Sequence, residues 1–325
     1  MRRRRTSLFV AGALALAPAT AAQGGAGATS SGAAFLLVPV GARATALGQA
    51  AIADHGTGES AFWNPAGLAS LSRSEFAAHF AQTFISNNGA LSAYIASDQV
   101  GVLGVAAYVL DLGSQDVIPP GSMTATGRTS LRNIELIASY ATRVGSDLAL
   151  GVNYKLIQFR QDCSGDCRPT RTIVGTTHAV DLGLQWAVAA DQVRLGVALR
   201  HAGFRLQLEN RDQADPLPTT LVMGISWGTT VTRLDDGTTV DARLLVDLQD
   251  DWGAYASPEA LVGVEMGYGT LVRLRAGYAL VTGDTRGPSI GFGVELEGVH
   301  IDFARVFYAA GTFDEPAYLS VRVAL

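Results

Sequence analysis

The fold is decided by the nine residues at positions 240–248, which read VDARLLVDL. One face of this stretch carries Val240, Ala242, Leu244, Val246 and Leu248, and the opposite face carries Asp241, Arg243, Leu245 and Asp247. Successive side chains of a β-strand point to opposite sides, so a period of two residues indicates a strand with one apolar face. Residues 193–199 and 272–280 repeat this pattern.

The same alternation recurs from Ser74 to Leu325 and predicts fourteen strands. The predicted strands span 74–84, 89–97, 100–111, 132–143, 147–161, 175–188, 192–208, 218–230, 238–250, 258–268, 270–281, 287–297, 299–309 and 316–325. Many of them exceed the ~5–6 residues of an average strand in a soluble protein. Their lengths suit tilted strands that cross a bilayer, which need about 9–11 residues.

The connections between the predicted strands alternate in length. Gaps after odd-numbered strands tend to be long, at 112–131, 162–174, 209–217 and 251–257. Gaps after even-numbered strands tend to be short, at 97–99, 145–146, 189–191 and 298. Short turns at one end, long loops at the other and an even strand number are typical of outer-membrane barrels. The predicted fold is therefore all-β, a 14-stranded antiparallel transmembrane β-barrel in the outer membrane, where it contacts lipid.

Charged side chains share the face opposite the apolar one. The positive residues are Lys155, Arg194, Arg200, Arg243, Arg273 and Arg275, and the negative residues are Asp181, Asp241, Asp247, Glu265, Glu295 and Asp302. In a soluble barrel the apolar face would have to fill the interior, but a fourteen-stranded lumen is too wide for side chains to fill. In lipid the apolar face contacts acyl chains, and closure pairs every strand edge. These twelve charges are therefore predicted to face the lumen.

Composition narrows the class of protein further. The chain has 325 residues, of which 48% are hydrophobic and 16% charged, and this excludes intrinsic disorder. A net charge of −5, with no basic cluster beyond the first five residues, argues against nucleic acid as a partner. The sequence also lacks the run of about 18 apolar residues that a spanning helix requires.

The N-terminal region divides into three segments ahead of the barrel. Residues 1–22 have the basic start, short apolar stretch and small residues of a cleaved secretory signal peptide. Residues 23–32 are rich in Gly, Ala and Ser and predict a flexible leader. Residues 33–72 form a separate segment, with a helix predicted from Arg43 to Asp54, and residues 73–325 form the barrel.

A second part of the 33–72 segment combines polar and turn-forming residues. Asp54, His55, Glu59 and Ser60 accompany two glycines, and this composition predicts a solvated turn. Asn64-Pro65 favours a further turn, because proline disfavours helix at the residue before it. We expect Asn64 to Gly67 to form a tight turn against the barrel wall, with Gly67 allowing a close approach.

The chain offers little chemistry for catalysis or metal binding. Cys163 and Cys167 are expected to form a disulfide outside the cytosol, whereas zinc, the alternative, needs four ligands and no histidine lies nearby. Residues 287–291 fit a nucleophile-elbow pattern, but the strand pattern continues where that motif needs a helix. We therefore predict no enzyme activity, no cofactor and no metal site.

Two blocks of the 33–72 segment resemble a known signature. Residues 41–50, GARATALGQA, and 61–68, AFWNPAGL, resemble the N-terminal signature of the PorV/PorQ family, within the wider group of FadL-like barrels. Weaker fragments at 150–155, 181–184, 217–221 and 275–278 extend the resemblance over nearly all of the mature chain. The residues that the resemblance assigns to a plug or gating motif are Arg43, Gly48, Phe62, Trp63, Asn64, Pro65, Ala66 and Gly67.

The resemblance implies a fourteen-stranded outer-membrane barrel whose residues 33–72 form a plug. It also implies two alternative functions. PorV-type members work with type IX secretion machinery and hold or carry exported proteins, so secretion-system components or cargo proteins would be the partners. FadL-type relatives pass hydrophobic small molecules through the barrel wall with the plug as a gate, so a hydrophobic solute would be the partner.

Overall fold

The computed structural model describes residues 32–325, except 84–85, 169, 190–191, 209–213, 254, 256, 281–286 and 309–314. The predicted signal peptide and nearly all of the predicted leader therefore lie outside the described residues. Among the described residues, no helix has the length and apolar character needed to cross a membrane.

Fourteen antiparallel strands form one closed barrel, which confirms the predicted fold class. The strands are β1 (Glu75–Gln82), β2 (Asn87–Ser97), β3 (Gly101–Val117), β4 (Gly127–Val144), β5 (Leu148–Gly165), β6 (Ile173–Val188), β7 (Val193–Gly203), β8 (Thr220–Arg233), β9 (Thr239–Asp251), β10 (Glu259–Tyr268), β11 (Val272–Leu280), β12 (Gly287–Leu296), β13 (Val299–Val306) and β14 (Ala317–Ala324). Each strand pairs with its neighbours in sequence, and β1 pairs with β14 to close the sheet. Closure leaves no strand edge unpaired, as a bilayer requires.

The two faces of the wall differ as the alternation predicts. On β9, Leu245 and Asp247 are buried in the interior, whereas Leu244 and Leu248 are exposed on the outside. Neighbouring strands continue the exposed apolar surface with Val264, Leu274, Ile290 and Phe292. An apolar outer surface around a polar interior is the arrangement expected of a barrel in lipid.

The two ends of the barrel differ in the length of their connections. We call the turn side the end where β1 begins, β14 ends and short turns such as 145–147 and 297–298 lie. The loop side is the opposite end. There the predicted gap at 112–131 is wrong, because β3 ends only at Val117 and β4 already begins at Gly127. The extension escapes sequence reading because its outward residues are polar or charged, as in the Arg128–Asp116 pair at 3.0 Å.

The gap predicted at 162–174 is also too long, since β5 continues to Gly165 and β6 begins at Ile173. The backbone ladder between β4 and β5 runs unbroken to the pair Gly127–Gly165. Cys163 and Cys167 form a disulfide at this tip. The loop side of β3 to β6 is thus an ordered, extended part of the wall.

The segment before β1 lies inside the barrel and is short in regular structure. It contains one α-helix, α1 (Ala42–Ala46), and three 3-10 helices at Ala34–Leu37, Gly58–Phe62 and Pro65–Ser70. We call residues 33–72 the plug. On the loop side, the Gly32 amide donates to the Pro216 carbonyl. The plug therefore crosses the lumen from the loop side to β1 on the turn side.

The helix predicted from Arg43 to Asp54 is wrong after Ala46. Gly48 and Gln49 both have positive φ, at 64° and 70°, which a right-handed helix does not allow. Gly48 also lies against the backbone of β10 and β11, where a Cβ would come 2.5 Å from the Tyr278 nitrogen. Contact with the wall thus overrides the helical propensity of the alanine-rich sequence.

Candidate functional site

Wall glycines let the plug backbone touch the barrel backbone. The inward positions concerned are Gly151, Gly183, Gly196, Gly263, Gly277 and Gly291. A Cβ at Gly277 would overlap the Gly48 backbone, and a Cβ at Gly196 would overlap the Ile52 carbonyl. These glycines therefore leave space for the plug at one level of the lumen, on strands β5 to β7 and β10 to β12.

Asn64 lies at the centre of the motif and is fully buried. Its Oδ1 accepts from the Ala66 amide at 3.1 Å, and its Nδ2 donates to the Ile52 carbonyl at 2.8 Å. Pro65 begins the 3-10 helix that follows, a position where its missing N–H costs nothing. A Cβ on Gly67 would come 2.7 Å from Ser60 Oγ, so this glycine serves a close approach.

Phe62 and Trp63 attach the plug on the loop side. Trp63 donates from its indole nitrogen to the Val40 carbonyl at 3.0 Å. The Arg200 guanidinium lies 5.1 Å from the centre of the Trp63 ring and donates to the Phe62 carbonyl at 3.2 Å. Phe62 contacts His79 of β1 edge to face at 5.8 Å. The aromatic pair thus joins plug residues to opposite parts of the wall.

Arg43 joins the plug to the wall through two carboxylates. Its guanidinium pairs with Asp54 of the plug at 2.7 Å and with Glu265 of β10 at 2.5 Å. All three side chains are less than one-tenth exposed. Arg243 of β9 adds a second contact to Asp54, at 3.1 Å. A buried pair of this kind is costly to break on one side only, at about 3–5 kcal/mol.

The charges continue around the turn side of the wall. Arg275 pairs with Glu265 and Asp302, both at 2.6 Å. Arg322 of β14 pairs with Asp302 at 2.9 Å and lies 3.6 Å from Glu75 of β1. Glu75 in turn accepts from the Gly58 amide of the plug at 2.7 Å. Alternating charges therefore connect Arg43 to the closing strand pair and back to the plug.

A separate polar cluster surrounds Lys155, the single lysine of the chain. Its ammonium nitrogen lies 2.9 Å from Glu135 Oε1 and 2.8 Å from Asp181 Oδ2. Asn153 donates both to Asp181 and to the Ala61 carbonyl of the plug. The cluster thus balances a buried cation with two carboxylates and also holds the plug.

The predicted lumen charges all lie on inward positions of the strands. Those buried in the interior are Lys155, Asp181, Arg194, Asp247, Glu265, Arg275 and Asp302. Those partly exposed to the lumen are Arg200, Asp241, Arg243, Arg273 and Glu295. Asp247 binds the plug directly, because its Oδ2 accepts from the Ala51 and Ile52 amides at 2.7 and 2.9 Å.

The solvated turn predicted around Asp54 and Glu59 is wrong, since both side chains are buried. Glu59 Oε1 accepts from the Ala44 amide in the first turn of α1 at 2.7 Å, while Oε2 has no hydrogen-bond partner among the described residues. Burial raises the pKa of Glu59 to about 7. Glycines and polar residues in this stretch are typical of an exposed turn, but wall strands that are distant in sequence cover it and bury its side chains.

Sequence reasoning missed several residues that complete the site. Glu75, Glu135, His201 and Arg322 all bind or border the charged clusters. Three of them occupy the inward register of strands already predicted, so the alternation could have found them. His201 could not be found in this way, because it lies in a β-bulge with φ of 56°.

Two cavities lie on either side of the plug. The loop-side cavity has a volume of about 640 Å³ and is lined by plug residues, including Leu36, Phe62 and Trp63, and by Tyr108 and Tyr318 of the wall. The turn-side cavity has a volume of about 460 Å³, and its lining is dominated by charged residues such as Arg43, Glu265 and Arg322. Within the described residues, no group of His, Cys, Asp and Glu side chains is arranged to hold a metal ion.

Solved structures with the same architecture are bacterial barrels. The toluene transporter TbuX of Ralstonia pickettii is 12% identical, with a TM-score of 0.59 over 88% of this chain and 98% of its own. The fold is FadL-like. The toluene transporter TodX of Pseudomonas putida is 13% identical, with a TM-score of 0.58 over 88% and 98% of the two chains. A FadL homologue of Pseudomonas aeruginosa is 11% identical, with a TM-score of 0.52 over 88% and 99%.

At identities this low, the structural similarity establishes the fold alone, and an argument about function has to come from the residues of the site. No protein-family model matches the sequence. No curated protein matches it either. The FadL-like part of the predicted resemblance is thus confirmed at the level of the fold, and the PorV/PorQ part stays a prediction.

Proposed function

We propose that the chain is an outer-membrane transporter of hydrophobic small molecules, which it holds in the loop-side cavity above the plug. The observation that carries this proposal is the cavity itself. Its volume of about 640 Å³ falls within the roughly 300–1,000 Å³ of small-molecule sites. Leu36, Val40, Phe62, Trp63 and Leu110 give it an apolar and aromatic sector.

The plug supports the proposal by closing the axial path. Its backbone contacts the wall at the glycine positions. The buried side chains of Arg43, Asn64 and Glu59 fill the centre of the lumen, where Arg43 and Asn64 are hydrogen-bonded within the plug. The turn-side cavity beyond it is lined by ionised side chains, an environment that an apolar solute avoids. Passage therefore requires the plug to move or the solute to leave through the wall.

The fold comparisons favour small molecules over secreted proteins as cargo. Two of the matched structures are toluene transporters by name. A role in type IX-like secretion, which the PorV/PorQ resemblance implies, has only the sequence signature in its support. The same comparisons support a non-enzymatic role and a position in the outer membrane.

Uptake by whole cells tests the proposal. Cells that carry the barrel are expected to accumulate radiolabelled toluene faster than cells that lack it, while the entry of a polar sugar stays equal in both. The surface display of exported proteins is measured in the same cells. Equal toluene uptake combined with a loss of displayed proteins in cells without the barrel would contradict transport and support the secretion alternative.

A further inference from the structure

A row of polar side chains borders one side of the loop-side cavity. It consists of Tyr108 on β3, Glu135 on β4, Lys155 on β5, and Arg200 and His201 on β7, and we call these five residues the polar belt. Tyr108 and Glu135 are direct register partners. Lys155 connects Glu135, at 2.9 Å, with His201 Nδ1, at 3.2 Å. The belt therefore forms one continuous polar surface with residues from four strands, β3, β4, β5 and β7.

Three members of the belt have a buried polar atom without a hydrogen-bond partner among the described residues. These atoms are the Tyr108 hydroxyl, His201 Nε2 and Arg200 Nε. Buried polar groups are rarely left unpaired in native proteins, because each such group loses its water without compensation. Three of them beside one cavity indicate that a polar group of a bound molecule completes the belt.

The charge of the belt limits what that group can be. Lys155 and Arg200 are positive, and Glu135 and the adjoining Asp181 are negative, so the cluster is balanced. A bound carboxylate would add a net negative charge beside Glu135 in a poorly hydrated place. The Tyr108 hydroxyl and Arg200 Nε can donate, whereas the Glu135 carboxylate accepts. A hydroxyl group both donates and accepts and brings no charge.

The remainder of the cavity limits the body of the molecule. Phe62 and Trp63 lie on the floor, Tyr318 lies on the wall at β14, and Leu36 and Val40 add aliphatic surface. Aromatic side chains favour stacked or edge-on contact with an aromatic ring. The apolar sector and the polar belt together match a ring with one hydroxyl group.

We infer that the cavity selects neutral hydroxylated aromatic molecules of the alkylphenol class, with the hydroxyl at the polar belt and the ring against Phe62 and Trp63. This inference rests on the proposed transport of hydrophobic small molecules and narrows it to one substrate class. Unpaired belt atoms discriminate against a molecule that lacks the hydroxyl, because a binding site built for a polar group penalises its absence.

Equilibrium binding to the purified full-length barrel in detergent tests the inference with three matched probes. They are 4-propylphenol, propylbenzene and 4-propylbenzoate, which share the ring and the alkyl chain. We expect 4-propylphenol to bind about tenfold more tightly than either of the others. Tighter binding of the benzoate would overturn the preference for a neutral group. Equal binding of the phenol and the hydrocarbon would mean that water alone completes the belt.

Two Tyr→Phe variants locate the effect. Tyr108→Phe removes one belt hydroxyl that has no hydrogen-bond partner among the described residues, so the barrel should fold and lose most of the preference for the phenol. Tyr278→Phe makes the same change at an exposed tyrosine on the outer face of β11, away from the cavity, and should keep the preference. A similar loss in both variants, or in neither, would overturn the assignment to the belt.

The result separates this inference from the proposed function. If propylbenzene and 4-propylphenol bind equally well and cellular toluene uptake depends on the barrel, the substrate class is wrong and transport stands. If no probe binds and uptake is independent of the barrel, the proposed function fails as well.

Discussion

Arg43 is the residue through which the plug and the wall share charge. It pairs with Asp54 on its own segment and with Glu265 on β10, which is 222 positions away in sequence. The sequence signature includes Arg43 and gives no indication of either partner. The sequence predicts Asp54 in a solvated turn, and it predicts Glu265 only as one of twelve charges that face the lumen. Pairing across such a distance follows only from closure of the barrel.

We predict that Arg43→Met loosens the plug and leaves the barrel folded. The change takes one partner from Asp54 and one from Glu265, although Arg243 and Arg275 remain beside them. Breaking such a buried pair costs about 3–5 kcal/mol. Hydrogen exchange of the amides at 42–54 should accelerate, and the gel shift that marks a folded barrel on heating should persist.

Arg273→Met is the matched control for that variant. Arg273 is also a lumen arginine on the turn side, but its ion pair is with Asp241 of the wall, at 3.1 Å. It should leave the exchange of plug amides unchanged. Equal acceleration in both variants would show that lumen charge in general, rather than the Arg43 contact, holds the plug.

Glu59 makes the seating of the plug sensitive to pH. Its pKa rises from an ordinary 4.5 to about 7 on burial, so the folded state binds more protons than the unfolded state between these values. Stability from this group is therefore greatest at low pH and declines as the pH rises to about 7. We expect slower exchange of plug amides at pH 5 than at pH 8, after correction for the intrinsic exchange rate.

Glu59→Gln should reduce the difference between pH 5 and pH 8, because an amide does not ionise in this range. The exposed Glu315, which pairs with Arg305 on the outer surface, supplies the control Glu315→Gln. The account of Glu59 is wrong if the plug is better protected at pH 8, or if both variants behave like the wild type.

At the scale of the element, the strands were the most predictable part of the chain. The register of β9 follows from 240–248 alone, because a slip of one residue would place Asp247 in lipid. Strand ends were less predictable. In the paired extension after Asp111 of β3 and before Arg132 of β4, the outward residues are polar or charged, so the apolar alternation stops. The ladder continues there because it depends on backbone groups, which every residue except proline supplies.

Strand β9 allows a direct test of its two faces. Val246→Arg places a charge on the lipid face, at a cost of about 2–4 kcal/mol near the bilayer midplane. Arg243→Leu removes a partly exposed lumen charge, and Asp54 keeps Arg43 as its partner. We expect a lower folded fraction in lipid vesicles for Val246→Arg than for Arg243→Leu. The reverse order would mean that the faces are exchanged.

The plug was predictable as a segment and unpredictable in its structure. Its small residues and the Asn64-Pro65 turn were evident from the sequence. The end of α1 was not, because the contact of Gly48 with Tyr278 and Val262 determines it. The short 3-10 helices likewise depend on the surrounding wall, since helices of this length have little stability of their own.

For the whole molecule, strand number and closure came from local patterns, while the cavities did not. The loop-side cavity combines plug residues near position 36 with wall residues from β3 to β14, so it exists only in the closed barrel. The His201 bulge, which brings two consecutive residues into the polar belt, interrupts the alternation on which the prediction relied. The loop-side cavity and the polar belt therefore depend on contacts that no single stretch of sequence reveals.

A hydrophobic small molecule is proposed to occupy the lumen above the plug. Photo-crosslinking tests this occupancy most directly, with a diazirine-bearing alkylbenzene added to membranes that contain the barrel and the labelled residues mapped by mass spectrometry. We predict labelling at Phe62, Trp63 and Tyr108 that excess toluene suppresses, beside unsuppressed labelling of lipid-facing residues such as Leu244. Labelling restricted to the lipid-facing residues, unchanged by toluene, would contradict the claim.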